Sequence, residues 1–303
     1  MMSQTEPLKN FLDPKTVSKI TDFRLLVRLI VDGFFMGAHR GPKQAFSLEY
    51  SKHRDYYPGD PLKRVDWRLF GKTDRHFVKQ YEEETNLEAW LVVDISKSMS
   101  YQGSRAALSK LRYAACLAGA IAHWLLGQKD LVGLILFDSR VRKIIPPSST
   151  NRQLAILLKE LCNLKEGEES QFEHATRHAA SRIKRRGLIM LFSDLLTDPD
   201  QIEKTLRYFL HRGNELIVFH TLAHEELEFP FKRFGFFEDM ETKQKILLQP
   251  EYLREEYCKQ MKECLERIKK TCMRMKVHYE QIETTTPFDK ALMRIVETRK
   301  RLY

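Results

Sequence analysis

The sequence predicts an α/β protein with a doubly wound, mainly parallel sheet and a smaller β-rich subdomain. Two short apolar runs, 89–93 and 187–192, have the length and composition of buried strands. From residue 87 to residue 222, such strands alternate with helical segments, which is typical of βα units around a parallel sheet. We therefore expect helices on both faces of the sheet, and we place the strand that ends at Asp94 near its centre.

Hydrophobic periodicity assigns the remaining elements. The helical spacing of apolar residues predicts helices at 14–35, 105–126, 151–164, 173–185, 199–211, 251–275 and 287–299. Further strands are predicted at 45–50, 76–81, 130–137, 141–145, 215–222 and 277–282. A hairpin is predicted from the stretches 234–241 and 245–249.

The composition and the predicted secondary structure change along the chain, and these changes indicate domain boundaries. We assign three regions: 1–32, an N-terminal tail and helix; 33–86, a β-rich segment; and 87–303, the main domain with a hairpin insertion near 234–249. Within the β-rich segment, Pro58-Gly59-Asp60 predicts a turn, because proline presets φ and glycine accepts a positive φ. We interpret the motif from Tyr57 to Trp67 as a structural turn that anchors this segment.

Composition and charge limit the classes of function. The 303 residues are 43% hydrophobic and 30% charged, which describes a soluble globular protein with a sizeable core. The net charge of +10 would suit an acidic partner, but acids are interleaved with the bases along most of the chain. The densest basic cluster, 182–186, ends a predicted helix, where it complements the helix dipole. We therefore expect no nucleic-acid partner.

The cysteines and the apolar runs predict the compartment. The five cysteines are odd in number and contain no C-x-x-C pair, so we expect thiols in a reducing cytosol and neither disulfides nor a zinc site. No segment approaches the ~18 consecutive apolar residues of a membrane-spanning helix, and the first residues lack the apolar core of a signal peptide. The sequence thus predicts a cytoplasmic protein without membrane insertion.

Asp94, Ser96 and Ser98 form a D-x-S-x-S string where the central strand ends. Residues i, i+2 and i+4 of an extended backbone point the same way, so three side-chain oxygens can converge as the strand becomes a loop. Hard oxygen ligands in a small cluster suit Mg²⁺ or Mn²⁺. The alternative is a strand-to-loop turn or a helix cap, because aspartate and serine are common at both.

Two later segments supply candidate partners for this string. Asp194 follows the apolar run 187–192, and ligands of open parallel sheets bind beyond the carboxyl ends of the strands. Ser170 lies in a loop just before a predicted helix. Two aspartates and three hydroxyls in one crevice would make a weak divalent site, which waters or a carboxylate of a partner would complete.

The combination of a D-x-S-x-S strand end, a later loop hydroxyl and a second strand-end aspartate resembles the metal-ion-dependent adhesion site of von Willebrand factor A domains. The string YYPGDPLKRVDWRLFGKTDRHFVKQYEEE, followed by LVVDISKSM, resembles the signature of the bacterial family catalogued as domain of unknown function fifty-eight. The strings FFEDMET and TTTPFDKAL resemble later landmarks of that family. The resemblance spans nearly the whole chain from about residue 33.

The resemblance implies a von Willebrand factor A-like domain that works beside a MoxR-type AAA+ ATPase. Its implied role is that of an adaptor or co-chaperone in the maturation of an unknown protein client. By position, the D-x-S-x-S residues match the first metal-binding loop of that fold, and Asp194 matches the last. Ser170 stands where the wider fold usually has threonine, and Thr150, near a predicted helix cap, is a rival hydroxyl.

The sequence does not favour an enzyme. Haloacid-dehalogenase-like phosphatases also place an aspartate at a strand end, but their D-x-D motif has a second aspartate as general acid. Ser96 occupies that position here and cannot supply the same proton chemistry near neutral pH. The chain also has no G-x-x-x-x-G-K-[ST] loop and no G-x-S-x-G elbow. The alternatives to a binding module are a metal-dependent phosphatase-like hydrolase and a structural module with an inactive metal loop.

Overall fold

The computed structural model describes residues 12–38, 53–57, 65, 67–75, 77–79, 87–167, 171–240 and 243–293. The chain forms two compact units: Ala38–Asn86 is one, and Met1–Gly37 together with Leu87–Tyr303 is the other. The strand predicted at 45–50 and the turn at Pro58-Gly59-Asp60 lie outside the described residues.

The described helices and strands are as follows. The helices are α1 (Pro14–Val17), α2 (Phe23–Ala38), α3 (Trp67–Thr73), α4 (Lys110–Gly127), α5 (Asn151–Cys162), α6 (Phe172–Arg182), α7 (Pro199–Leu210), α8 (His224–Glu228) and α9 (Pro250–Arg274), and residues 288–293 are also helical. The strands are β1 (His53–Asp55), β2 (Phe77–Lys79), β3 (Glu88–Asp94), β4 (Leu131–Phe137), β5 (Val141–Ser148), β6 (Leu188–Ser193), β7 (Glu215–Leu222), β8 (Gly235–Glu238), β9 (Lys245–Leu248) and β10 (His278–Glu283). A 3₁₀ turn covers Lys97–Ser100.

Six strands form the central sheet in the order β10-β7-β6-β3-β4-β5. All neighbours in it are parallel except β4 and β5, which are antiparallel. The structure thus confirms the predicted mainly parallel sheet, with the strand that ends at Asp94 in its interior. The strand order reverses at β3, because the chain adds β4 on one side of it and β6 on the other. Such a switch point opens a crevice beyond the carboxyl ends of the strands.

Each face of the sheet carries a layer of helices, as predicted. Along β3, Leu91 and Val93 belong to one hydrophobic core, and the alternate residues Trp90 and Val92 belong to the other. The first core also contains apolar side chains of α2, α4 and α5, and the second contains those of α6, α7 and α9. Because β3 is buried on both faces, its apolar run is continuous and does not alternate with polar residues.

The apolar helix predicted at 105–126 begins later, at Lys110. Ser109 is its N-cap, and the Ser109 hydroxyl accepts a hydrogen bond from the backbone N–H of Arg112 (3.2 Å). The apolar periodicity extends the predicted helix backwards because the preceding loop is also partly buried. The later start places Lys110 at the first position of α4.

The single helix predicted at 14–35 is two helices, α1 and α2. The Asp22 side chain accepts a hydrogen bond from the backbone N–H of Arg24 (2.9 Å), so α2 has a capped start of its own. Periodicity alone does not reveal the break, because apolar residues continue at helical spacing through it.

The smaller unit, Ala38–Asn86, contains a short antiparallel pair and a helix among its described residues. Strands β1 and β2 pair over three residues each, and Val65 forms a bridge to Val78. Helix α3 was not predicted. We expected turns and strands here, because the segment is dense in charges and turn residues. The hairpin of β8 and β9 belongs to the larger unit.

Gly187 lies where β6 begins beside β3, and a side chain there would not fit. A Cβ atom on Gly187 would collide with the carbonyl oxygen of Glu88 in β3. We expect Gly187→Ala to lower the free energy of unfolding, measured by urea denaturation, by about 3 kcal/mol, because the strands must separate to admit a methyl group. Gly127→Ala is the matched control, since no described residue lies within 4 Å of its Cβ position. Equal losses in the two variants would contradict this packing argument.

Candidate metal centre

Asp94 is the last residue of β3, and Asp194 directly follows β6, the adjacent parallel strand, at the switch point of the sheet. Val93 of β3 pairs with Phe192 of β6, so Asp94 lies beside Ser193, the residue before Asp194. Both carboxyl groups are shielded from solvent: Asp94 is 1% exposed and Asp194 is 4% exposed. The structure therefore places the two strand-end aspartates at the same edge of the sheet.

Both carboxyl oxygens of Asp94 accept hydrogen bonds. The backbone N–H of Ser96 donates to Oδ1 (2.9 Å), and the hydroxyl of Ser193 donates to Oδ2 (2.7 Å). Burial, together with the negative charge of Asp194, raises the pKa of Asp94 to about 7, although these hydrogen bonds oppose the shift. Because the pKa of Asp94 is raised in this way, a cation that binds beside its carboxyl group would stabilise the charged form.

The two serines of the string connect the two aspartates. The 3₁₀ turn Lys97–Ser100 brings the Ser96 Oγ and Ser98 Oγ atoms to 3.1 Å from each other. The Ser98 side chain also hydrogen-bonds the carboxylate of Asp194. A continuous series of contacts thus runs from Asp94 through Ser96 and Ser98 to Asp194. We refer to these four residues as the oxygen ring.

Asp194 also forms an ion pair with a lysine that periodicity did not single out. The Lys110 Nζ atom lies 2.8 Å from Asp194 Oδ2 and 2.5 Å from Glu226 Oε1. Burial favours the neutral carboxyl, but the charge and hydrogen bond of Lys110 outweigh it and hold the pKa of Asp194 below its ordinary value. The backbone N–H of Leu196 adds a weaker hydrogen bond to Oδ1 (3.3 Å). Asp194 is therefore the ionised carboxylate of the ring.

The sequence carries one signal for Lys110. It stands between Leu108 and Leu111 at the beginning of a helix that is largely apolar. A lysine with buried neighbours requires a carboxylate partner, because an isolated ammonium is costly to remove from water. The identity of the partners depends on contacts that are distant in sequence, so the pattern indicates a pair without naming it.

A buried histidine, His220, hydrogen-bonds the backbone of Asp194. His220 Nε2 lies 2.7 Å from the carbonyl oxygen of Asp194, and His220 Nδ1 lies 2.7 Å from the hydroxyl of Tyr279. Burial lowers the pKa of His220 to about 4, so the imidazole of His220 is neutral above that pH. With Nε2 as the protonated nitrogen, the imidazole donates to the carbonyl and accepts from the tyrosine. This arrangement fixes the loop that carries Asp194.

The loop that carries Ser170 is described up to Gly167, and this part of it lies beside the loop that follows β3. The backbone N–H of Gly167 donates to the carbonyl oxygen of Ile95 (2.8 Å), so this loop passes directly beside the first one. A Cβ atom on Gly167 would collide with the carboxylate of Asp138, which shows how closely the chain approaches. Ser170, three residues further on, lies outside the described residues, and its role as a ligand stays a prediction.

Thr150, the rival hydroxyl, lies near the start of β4, whereas the two aspartates lie at the carboxyl ends of the parallel strands. It is the N-cap of α5 and follows β5, whose last residue, Ser148, pairs with Val132 near the start of β4. Asp94, in contrast, pairs with Phe137 at the end of β4. Five residues of strand, or about 16 Å, separate these two positions. The topology therefore removes Thr150 from the site.

The donor set of the oxygen ring fits a divalent cation. Two carboxyl groups and two hydroxyls are all hard oxygen ligands, which suit Mg²⁺ or Mn²⁺. In the part of the chain that the structure describes, no group of three or more His, Cys, Asp or Glu side chains is placed to hold a metal ion. A divalent ion at the ring would have two carboxyl groups as ligands, and a third loop, water or a partner would have to supply the remaining ones.

The comparison with known families covers the whole of this site. The family model described as "Protein of unknown function DUF58" matches residues 52–267, which include the oxygen ring, Lys110 and Glu226. The chain belongs to the DUF58 family. The resemblance indicated by the sequence strings is thereby confirmed at the level of the family.

This DUF58 protein also matches two mycobacterial relatives. They are Uncharacterized protein Mb1516 of Mycobacterium bovis and Uncharacterized protein Rv1480 of Mycobacterium tuberculosis. Each is 26% identical over 221 residues, which cover 72% of this chain and 68% of the relative.

Two solved structures from Bacteroides are similar to part of this DUF58 chain. One is the conserved hypothetical protein BatB from Bacteroides thetaiotaomicron, with 19% identity, a TM-score of 0.46, and coverage of 71% of this chain and 99% of that one. The other is an aerotolerance-related membrane protein from Bacteroides fragilis, with 17% identity, a TM-score of 0.42, and coverage of 70% and 99%. Among the described residues of this DUF58 chain, every helix is too short or too polar to cross a membrane.

Proposed function

We propose that this DUF58 protein is a non-enzymatic, divalent-metal-dependent protein-binding module with a von Willebrand factor A-like fold. In this proposal it serves as an adaptor or co-chaperone of a MoxR-type AAA+ ATPase and handles a protein client during maturation. The observation that carries the proposal is the oxygen ring: two strand-end carboxyl groups, joined through two hydroxyls, at the switch point of a mainly parallel sheet.

The chemistry of the oxygen ring suits a weak site for Mg²⁺ or Mn²⁺, with Ser170 as a further candidate ligand. When bound, the ion would offer a coordination position to an oxygen of another protein. Two ionised aspartates formally balance the ion, and the attraction for a partner comes from its open coordination position, where an Asp or Glu carboxylate is favoured once water is excluded. The raised pKa of Asp94 supports this view, because a nearby cation would stabilise its charged form.

Ser96 is the residue that disfavours the phosphatase-like alternative. Its hydroxyl lies at the position where such hydrolases need a general acid, and it is already 3.1 Å from the Ser98 hydroxyl. The five cysteines are free thiols, which favours a reducing compartment. The proposal therefore places a binding protein in the cytoplasm.

We expect capture of a MoxR-type AAA+ ATPase, or of a protein client, to depend on the ion. In a pull-down with Mg²⁺ the wild-type protein should retain the partner, and EDTA should reduce capture at least tenfold. Ser96→Ala should abolish the EDTA-sensitive capture and the binding of Mg²⁺ in calorimetry, because it removes one oxygen of the ring. Ser100→Ala is the matched control in the same turn, since the Ser100 hydroxyl donates to the carbonyl of Lys97 (2.7 Å).

Two outcomes would contradict the proposal. Capture that survives both EDTA and Ser96→Ala would favour a structural module with an inactive metal loop, and circular dichroism would show that the variants are folded. Turnover of a generic phosphate ester in Mg²⁺ without any partner would favour the hydrolase.

A further inference from the structure

Lys110 places a positive charge at the edge of the oxygen ring. Its side chain is only 1% exposed, and its Nζ atom contacts Asp194 Oδ2 at 2.8 Å and Glu226 Oε1 at 2.5 Å. Burial disfavours the ammonium, but the two carboxylates outweigh it and hold the pKa of Lys110 above its ordinary value. A charged lysine is therefore a permanent component of this site.

The two partners of Lys110 differ in what else they do. Asp194 belongs to the oxygen ring, where Ser98 also bonds its carboxylate. Glu226 belongs to α8, and its second oxygen, Oε2, accepts a hydrogen bond from the backbone N–H of Ala223 (2.7 Å). The position of Glu226 is thus fixed by its own helix and does not depend on Asp194. One ammonium is shared between a candidate metal ligand and a carboxylate outside the ring.

We propose that Lys110 is the resident counter-ion of this metal centre: it bridges Asp194 and Glu226 when no divalent ion is bound, and it stays with Glu226 alone when an ion takes Asp194. The inference rests on the proposed metal site and adds to it a residue that regulates occupancy. An arriving ion must compete with an ammonium that already holds one carboxylate oxygen, which lowers the affinity of the site. Glu226 makes the exchange feasible, because it retains the ammonium in a partly buried environment after Asp194 is released.

The exchange would also connect the metal loop to the next part of the fold. Glu225, the neighbour of Glu226 in α8, accepts hydrogen bonds from the backbone N–H and the hydroxyl of Ser104 (2.7 and 2.6 Å). The loop between the oxygen ring and α4 is thus tied to α8 at its middle by Ser104 and at its end by Lys110. Release of Asp194 would leave the Lys110 ammonium bonded to α8 alone, through Glu226.

The test is a double-mutant cycle on Mg²⁺ affinity, measured by calorimetry in metal-free buffer with the full chain. Lys110→Met should bind Mg²⁺ at least tenfold more tightly than the wild type, because no ammonium competes for Asp194. Glu226→Gln should bind it several-fold more weakly, because the ammonium has no second carboxylate to receive it. In the Lys110→Met background, Glu226→Gln should change the affinity by less than about twofold.

The last comparison separates exchange from the general effect of charge. If Glu226 acted only through its negative charge, Glu226→Gln would weaken Mg²⁺ binding by the same factor in both backgrounds, and this result would overturn the role of Lys110. Unchanged or weaker binding in Lys110→Met would overturn it as well, while leaving the metal site in place. Absence of Mg²⁺ binding in the wild type and in all variants would overturn the metal site itself. If Lys110→Met does not fold, Lys110→Gln replaces it in the cycle.

Discussion

Asp194→Ala is expected to lower the free energy of unfolding of the metal-free protein by about 3–5 kcal/mol. Among the described residues, the Lys110 ammonium, 1% exposed, would keep only Glu226 as a charged partner. Removing one member of a buried ion pair costs far more than removing an exposed one. The loop at Asp194 would also lose the hydrogen bonds that Ser98 and Leu196 make to its carboxylate.

Urea denaturation in EDTA measures this loss. Asp200→Ala is the matched control, since Asp200 pairs with Arg267 (3.2 Å) at the surface, and such pairs contribute at most about 1 kcal/mol. Lys110→Met combined with Asp194→Ala should recover part of the lost stability, because the unpaired ammonium is then gone. Similar, small losses in Asp194→Ala and Asp200→Ala would mean that the Lys110 pair contributes little.

Asp194 is therefore a poor position at which to probe the proposed metal site. A strand-end aspartate at the edge of a sheet would ordinarily tolerate alanine, which makes it an attractive position for a loss-of-binding variant. Here Asp194 is buried and ion-paired, so its removal would confuse loss of stability with loss of metal binding. Ser96 is the better probe, because its hydroxyl makes no ion pair and alanine leaves the backbone of the turn intact.

The apolar runs, together with the alternation of strands and helices, were sufficient to predict a mainly parallel sheet. A strand in the interior of a parallel sheet is covered by helices on both faces, so its sequence is continuously apolar, and β3 and β6 both show this pattern. Parallel neighbours end at the same edge, which is why Asp94, directly after the first run, and Asp194, one intervening residue after the second, come together. The register of the pairs, Val93 with Phe192, then follows from equal strand ends.

The sequence could not reveal the ionic contacts of the site. Lys110 is 84 residues from Asp194 and 116 residues from Glu226, and no local pattern encodes contacts of that range. The start of α4 depends on the cap at Ser109 and on the loop tied to α8, whereas apolar periodicity continues through both. Helix α3 escaped prediction for a related reason: its seven residues are too few to establish a period among the charges.

The pH dependence of stability in the metal-free protein should carry the signature of Asp94. Its pKa is about 7 in the folded state against 3.8 ordinarily, because burial and the charge of Asp194 oppose ionisation. From about pH 4 to pH 7 the folded state therefore holds a proton that the unfolded state has released. The stability that this proton contributes is complete below pH 4 and is lost as the pH rises towards 7, by up to about 4 kcal/mol.

His220 acts in the opposite direction over the same range. Its pKa is lowered to about 4 by burial, so the unfolded state binds a proton first as the pH falls, and stability due to neutral His220 is lost from about pH 6.5 downwards. The pH dependence of wild-type stability would therefore combine opposite contributions from Asp94 and His220. Asp194 does not interfere, because Lys110 holds its pKa below the ordinary range and its titration belongs to more acidic solutions.

Asp94→Asn isolates the contribution of Asp94, because His220 is present in both proteins. We expect urea denaturation in EDTA to show that Asp94→Asn gains stability relative to the wild type between pH 4.5 and pH 8, by a few kcal/mol in total. The amide keeps an oxygen for the N–H of Ser96 and can donate to Ser193, so the loop itself should be preserved. Saturating Mg²⁺ should cancel the difference by stabilising wild type more at pH 8 than at pH 5, because the ion binds the deprotonated carboxylate. A difference between the two proteins that does not change with pH would mean that Asp94 titrates normally, and the electrostatic argument for a cation beside it would then fail.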